Sequence, residues 1–305
     1  MLALGACGGT GATFNFLTHG FFEALLFPSA GAVILSLHDE HDIYKMGGLR
    51  TKLPVCFWTF VIGAASLAGF PLVTAGFYSK DEILMDVWAS PTGGPWLWAA
   101  GMLGALITAV YSFRLVFVVF LGEQRTAAGR KPGRAMTLPL VILAGFSLVA
   151  GYVELPKMLG NVQLFSEVMR TALPATTRGD FSTATEVTLL VFAMAVSVFG
   201  MLVAYLLFLQ RPGLATALVR TRLGGALSRF WFEGWAFDRL YDALFVRPFL
   251  WFAQVTKDDR IDQIYQVVAW LCRVLYGVLH SSLTGLVRCY AAFLPTGSFS
   301  LIFFL

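Results

Sequence analysis

The chain has 305 residues, of which 57% are hydrophobic and 13% charged, with a mean hydropathy of +0.73. Soluble domains carry about 25% charged residues, so this composition excludes one and predicts an all-α polytopic membrane protein. The net charge of +4 is too small to suggest a nucleic-acid partner, and Cys7, Cys56, Cys272 and Cys289 lack the spacing of a zinc site or disulfide framework.

Residues 1–13 are apolar and then glycine-rich, too short to span a bilayer, and read as the end of an incomplete transmembrane helix. No basic segment precedes them, so no cleaved signal peptide is expected. Residues 14–37, FNFLTHGFFEALLFPSAGAVILSL, are the first full span. At about 1.5 Å per residue they reach about 36 Å, enough for a hydrocarbon core of about 30 Å.

This first span carries His19 and Glu23 one helical turn apart on the same face. Glu23 lies near the midplane, where a charge costs about 2.5 kcal/mol or more, so it requires a partner or a use. Pro28, Ser29 and Gly31 follow, and the sequence predicts a helix loosened or broken at Pro28. The pair reads either as a proton-handling group or as packing glue, with Glu23 protonated or paired with a neighbouring helix.

The loop after it contains His38 and His41 among Asp39, Glu40 and Asp42. A solvated loop is the better reading than a metal site, because no further ligand cluster accompanies it. The second span, residues 55–77, contains Gly69, Pro71 and Gly76. Pro71 predicts a break near Gly69 with the helix resuming near Phe77, which draws Lys80, Asp81 and Glu82 toward the membrane interior. Lys80 then either handles protons or snorkels to the interface.

Further spans follow at about 95–121, 138–153 and 187–209. Lys and Arg concentrate in the loops after the first span (Lys45, Arg50, Lys52), the third (Arg125, Arg130, Lys131, Arg134) and the fifth (Arg211, Arg220, Arg222). The loop after the second holds only Lys80, while that after the fourth holds Lys157, Arg170 and Arg178. The positive-inside rule places the odd-numbered loops in the cytoplasm.

Residues 210–284 never offer an uncharged run of spanning length. A polar stripe at Asp259, Asp262, Gln263, Gln266, Arg273 and His280 faces Ile261, Ile264, Tyr265, Val268, Leu271, Leu275 and Leu279, the pattern of a long amphipathic helix lying along a membrane surface. Pro248 is expected to kink it. Residues 285–305 form a last, marginal span containing Pro295. The expected architecture is about six transmembrane helices, at least one discontinuous: a bundle over 14–209, the lateral helix over 210–284 and a terminal anchor over 285–305.

Three stretches, LTHGFFEALLFPSAGAVI, DIYKMGGLRTKLPVCFWTFVIGAASLAGFPLVTAGFYSKDEIL and FDRLYDALFVRPF, resemble the antiporter-like subunit L of bacterial NADH:quinone oxidoreductase, respiratory complex I. The resemblance implies a proton-pumping membrane-arm subunit beside other antiporter-like subunits in the inner membrane. Its lateral helix would run on the cytoplasmic face, with contacts through Asp238, Tyr241, Asp242 and Arg247. NADH, FMN, iron–sulfur clusters and quinone would all reside in partner subunits, none in this chain. Lys80 and Asp81 match the family's lysine and aspartate on a broken helix. The family's histidine, histidine, lysine series corresponds here to Asn15, His19 and Glu23, so only His19 is retained. Glu23 reverses the charge, which implies either a different charge sequence in the relay or an impaired copy. The family's N-terminal half, with a glutamate–lysine pair and another broken helix, is expected to be absent.

The expected relay runs from His19 to Glu23 and onward through Lys80 and Asp81. Alternatives are the large subunit of a multisubunit cation/proton antiporter, and a non-pumping remnant in which the lateral helix clamps its neighbours. An intramembrane enzyme built on His19 and Glu23 lacks a nucleophile.

Overall fold

The structure, a computed structural model, describes residues 2–5, 8–127, 129, 131–156, 159–173, 182–257, 260–283 and 285–304. Cys7, Arg130, Lys157, Arg178 and Asp259 lie outside the described residues. The chain divides into two compact units, Met1–Arg220 and Thr221–Leu305.

The first unit begins with the single turn α1 (Leu2–Gly5) and the long helix α2 (Gly9–Ser36). Thr13 starts inside α2, its hydroxyl donating to the Gly9 carbonyl at 2.8 Å, so the helix begins ahead of Phe14. The second span is divided into α3 (Pro54–Ala68) and α4 (Ala75–Ala89). α5 (Pro95–Phe120) follows, then α6 (Arg134–Val149), closed by a tight turn over Ala150–Val153. After the short α7 (Leu164–Met169) comes α8 (Thr183–Tyr205), which ends in a wide turn over Leu206–Gln210, and then α9 (Pro212–Arg220).

Among the described residues four helices are long and apolar enough to cross a membrane: Gly9–Ser36, Pro95–Phe120, Arg134–Val153 and Thr183–Gln210. α3 and α4 have 15 residues each, about 22 Å, so neither spans alone. The expected tally of about six spans thus resolves into four continuous ones, one broken pair, and a shorter terminal helix.

Pro28 does not break α2, which runs through it without interruption, contrary to the sequence expectation. A lone proline removes one hydrogen bond, and the neighbouring turn is tied from outside: Ser29 and Thr59 of α3 share a buried hydroxyl contact of 3.0 Å. The break in the second span has stronger causes. Gly69, at φ 72°, caps α3 with its own N–H on Ser66 and the N–H of Phe70 on Ala65, at 3.1 and 2.8 Å, and Pro71 prevents the helix from continuing. Gly76 is required where the two halves meet, because a Cβ there would sit 1.8 Å from the Ser66 carbonyl oxygen.

Packing centres on α2 and α3 against α5 and α6, where Leu25, Val33, Phe57, Phe60, Phe120 and Leu140 are buried. A second cluster gathers Phe14, Phe77, Tyr78, Met85, Leu189 and Leu190. Lipid is as apolar as these side chains, so close van der Waals fit and interhelical hydroxyl bonds, worth about 0.6 kcal/mol each on average, hold such a bundle together.

The second unit contains α10 (Arg222–Phe232), α11 (Phe237–Tyr241), α12 (Arg247–Thr256), α13 (Arg260–Ser282) and α14 (Val287–Phe304). The predicted kink at Pro248 lies elsewhere: Gly234, Trp235 and Ala236 all have left-handed φ, 59°, 61° and 60°, and separate α10 from α11. Pro248 sits in the first turn of α12, behind a wide turn over Asp242–Val246 in which the Arg247 N–H reaches the Asp242 carbonyl, so helical geometry accommodates it. Arg247 Nε pairs with Asp242 at 2.7 Å, and Tyr241 lies between Phe237 and Phe245 at 6.5 and 5.9 Å. Asp238 is in the first turn of α11. α14 passes through Pro295.

Candidate functional site

The unwound backbone between α3 and α4 has to satisfy its polar groups inside the membrane. Side chains from other elements meet most of this need. Ser197 of α8 donates to the Ala68 and Gly69 carbonyls at 3.0 Å each, and Thr74 donates to Phe70 at 2.8 Å. Tyr78 and Tyr152 both donate to Leu72, at 2.8 and 3.1 Å. The Gly76 N–H donates to the Ser66 hydroxyl at 3.1 Å.

Lys80, one turn into α4, donates from Nζ to the Leu67 carbonyl. That carbonyl is among the last four of α3, which have no partner within the helix and carry its negative dipole end. Lys80 thus acts as a tethered cation on a helix terminus. Beside it lies a cavity of about 20 Å³ lined by Ala68, Gly69, Lys80, Asp81 and Ser197 among apolar residues of α4, α5 and α8, large enough for one water. Asp81 is buried at 6% exposure. Gly69, Gly76 and Pro71 shape this site through the break.

His19 and Glu23 come together, with Nε2 to Oε1 at 2.9 Å, but their side chains are 37% and 49% exposed. The buried face of α2 runs instead through Phe14, Thr18, Phe22, Leu25 and Ser29. His19 and Glu23 bond to each other, while Lys80 bonds to Leu67. The periodic reason is plain, since His19 and Glu23 follow Thr18 and Phe22 by one position each, about 100° around the helix.

A different polar connection faces inward. Thr18 donates to Ser79 at 2.8 Å, and Ser79 donates to the Asn15 side-chain oxygen at 3.2 Å. Ser79 precedes Lys80 on α4, and Thr18 precedes His19 on α2, so these groups join the two helices at positions next in sequence to the two predicted pairs. Thr18, Ser79 and Ser197 escape a search for ionisable groups. Their signal is a small hydroxyl residue on an otherwise apolar helix face. Asp86, 2% exposed, is a further buried carboxylate that the sequence reading did not single out, pressed against α2 where a Cβ on Gly11 would lie 2.6 Å from its Oδ2.

The loop histidines are engaged locally. His41 lies 3.4 Å from Asp39, Lys45 pairs with Glu40 at 3.2 Å, and Asp42 accepts from the Tyr44 N–H at 2.9 Å. Among the described residues no three His, Cys, Asp or Glu side chains gather as a metal site.

The site thus belongs to a membrane bundle with a broken second span, in which the terminal carbonyls of α3 are held by a lysine and by a hydroxyl of a neighbouring helix. A family profile described as NADH:quinone oxidoreductase/Mrp antiporter, TM, matches residues 1–108. NADH-quinone oxidoreductase subunit L of Pseudomonas aeruginosa is 40% identical over 97% of this chain and 46% of its own length. The same subunit of Escherichia coli K12 is 38% identical over the same shares. NADH-ubiquinone oxidoreductase chain 5 of Arabidopsis thaliana is 34% identical over 83% of this chain and 39% of its own. The chain is thus similar to part of subunit L, and it spans about half the length of the curated relatives it matches. A chain of the Mrp complex from Dietzia sp. DQ12-45-1b shares the fold, with a TM-score of 0.51 at 21% identity over 91% of this chain and 29% of that one.

Proposed function

We propose that this chain contributes the carboxyl-terminal portion of a membrane-arm subunit of NADH:quinone oxidoreductase, and that it moves protons through the broken second span. The observation that carries the proposal is Lys80 seated on the end of α3 beside Asp81 and a water-sized cavity. An ammonium held by a helix terminus can release its proton when a nearby charge changes, and the terminus then draws the next proton. Ser79, Thr18 and Asn15 supply hydroxyl and amide groups that can hand a proton between α4 and α2, toward the side where His19 and Glu23 lie.

In this proposal the redox chemistry belongs to partner subunits, which carry NADH, FMN, iron–sulfur clusters and quinone. The complex sits in the inner membrane. The second unit lies along its cytoplasmic face and joins neighbouring antiporter-like subunits, with Asp238, Tyr241, Asp242 and Arg247 on its surface. Replacement of Lys80 by Met in the assembled complex, with NADH-driven proton uptake measured in inverted vesicles, tests the reading; undiminished uptake rules it out.

A second reading, a subunit of a cation/proton antiporter, is supported by the fold shared with the Mrp complex and by the family profile common to both. Identities of 38 to 40% to subunit L favour the first. Uptake driven by a cation gradient and indifferent to NADH would select the second.

A further inference from the structure

Leu72 is the one non-glycine residue of the break with a left-handed backbone, at φ 64°. Its Cβ crowds the following carbonyl in that conformation, so the surroundings must hold it there. Two phenols do so. Tyr78 Oη and Tyr152 Oη donate to the same Leu72 carbonyl at 2.8 and 3.1 Å, with their rings 5.5 Å apart. Tyr78 belongs to α4, but Tyr152 arrives from the turn that closes α6.

The end of α6 is fitted to the break at two more points. The Ser66 hydroxyl donates to the Ser147 carbonyl at 3.3 Å. Gly151 packs so closely that a Cβ there would lie 2.7 Å from the Ala75 Cα. Past Tyr152 the chain is anchored again: Glu154 accepts from the Ser166 N–H at 3.0 Å and from its hydroxyl at 2.5 Å, and Phe165 packs on Phe14 of α2 at 5.3 Å. Residues 150–156 therefore touch the break, and residues 164–169 touch the first span.

We propose that Tyr152 is a positioning residue for proton transfer at Lys80. By holding the Leu72 carbonyl it keeps residues 70–74 in the single backbone state that sets the last carbonyls of α3 opposite the lysine. The phenol acts through the backbone between Gly69 and Ala75 and not by contact with Lys80. This inference rests on the proposed function of the chain.

Tyr152→Phe keeps the ring and its packing and deletes only the hydroxyl, which makes it the test variant in the assembled complex. Amide hydrogen exchange across residues 70–74 should accelerate about fivefold, the population shift expected for one net hydrogen bond. Protons taken up per NADH oxidised should fall, while NADH oxidation continues. Adding Leu72→Gly should restore both readouts, because glycine takes positive φ without strain. Unchanged exchange in Tyr152→Phe overturns the clamp, and faster exchange with an unchanged proton yield overturns its positioning role. A parallel Lys80→Met sample separates the two levels: if its proton yield is undiminished, the functional reading falls, while the exchange data still decide the clamp.

Discussion

The Lys80 ammonium donates to the carbonyl of Leu67, so a residue of α4 completes the end of α3 across the gap that separates them. The helix break and the half-buried lysine are thus one feature. The carbonyls freed by Gly69 and Pro71 create a negative terminus, and the cation that occupies it comes from the next half-helix.

Removing that cation should therefore affect transport more than assembly. Lys80→Met retains the aliphatic stem and deletes the charge, and NADH-driven proton uptake should be abolished or nearly so. Lys80→Arg keeps the charge but cannot release a proton near neutral pH, so it should fail as fully as Met, although the terminus remains paired. Vesicle uptake rates of the two variants, normalised to subunit content, check this.

Gly76 tests the fit of the two half-helices. A methyl group there would overlap the Ser66 carbonyl oxygen, and since both atoms are backbone-borne, α4 would have to shift bodily. Gly76→Ala should destabilise the bundle by about 3 kcal/mol or prevent assembly, at the upper end of overpacking costs. Gly104→Ala, at a helical position with open space, should be tolerated. Thermal unfolding in detergent would distinguish them.

Ser197 supplies two of the hydrogen bonds that satisfy the break. Ser197→Ala should cost about 0.6 to 1.7 kcal/mol, the range for polar contacts within membrane bundles. It should also raise amide exchange at residues 68–70 without dissociating the helices. Equal exchange in the two proteins would mean that water replaces the hydroxyl at no loss.

Thr18→Val deletes the hydroxyl bridge from α2 to Ser79 at nearly constant volume. Proton uptake should slow with NADH oxidation still active, if the hydroxyl chain carries protons. Thr18→Ser should retain it, and a proton-uptake comparison of the pair isolates the hydroxyl from the packing.

Glu40, in the loop between α2 and α3, is held below the ordinary carboxylate value of 4.5 by the Asp42 N–H and then by Lys45. A carboxylate whose value is lowered by folding stabilises the folded loop above its unfolded value, and that contribution disappears as pH falls through the lowered one. The Glu40 contribution to order in residues 38–45 should thus be lost as pH falls through that lowered value. Glu40→Gln should weaken the acid dependence, as followed by spectroscopic probes placed on this loop.

The amino-acid sequence by itself determined the class of this protein, because apolar runs of spanning length between charged loops have one physical solution in a bilayer. It also located the division of the second span, where Gly69 and Pro71 act locally on their own backbone. It could not judge Pro28, since the same residue type is harmless when a neighbouring helix ties the turn, as Thr59 does through Ser29. It likewise misplaced the bend of the amphipathic region, which falls at Gly234–Ala236 because three successive left-handed residues outweigh a proline that a wide turn accommodates.

Only the tertiary structure decided which polar groups face which. Helical periodicity shows that His19 and Glu23 share a face but not that Thr18 and Phe22 hold the inward one. It also cannot show that hydroxyls from α8 and from the end of α6 converge on carbonyls more than a hundred and about eighty residues away, respectively. Those contacts are long-range pairings between surfaces of different helices, and a local pattern carries no information about which surfaces meet.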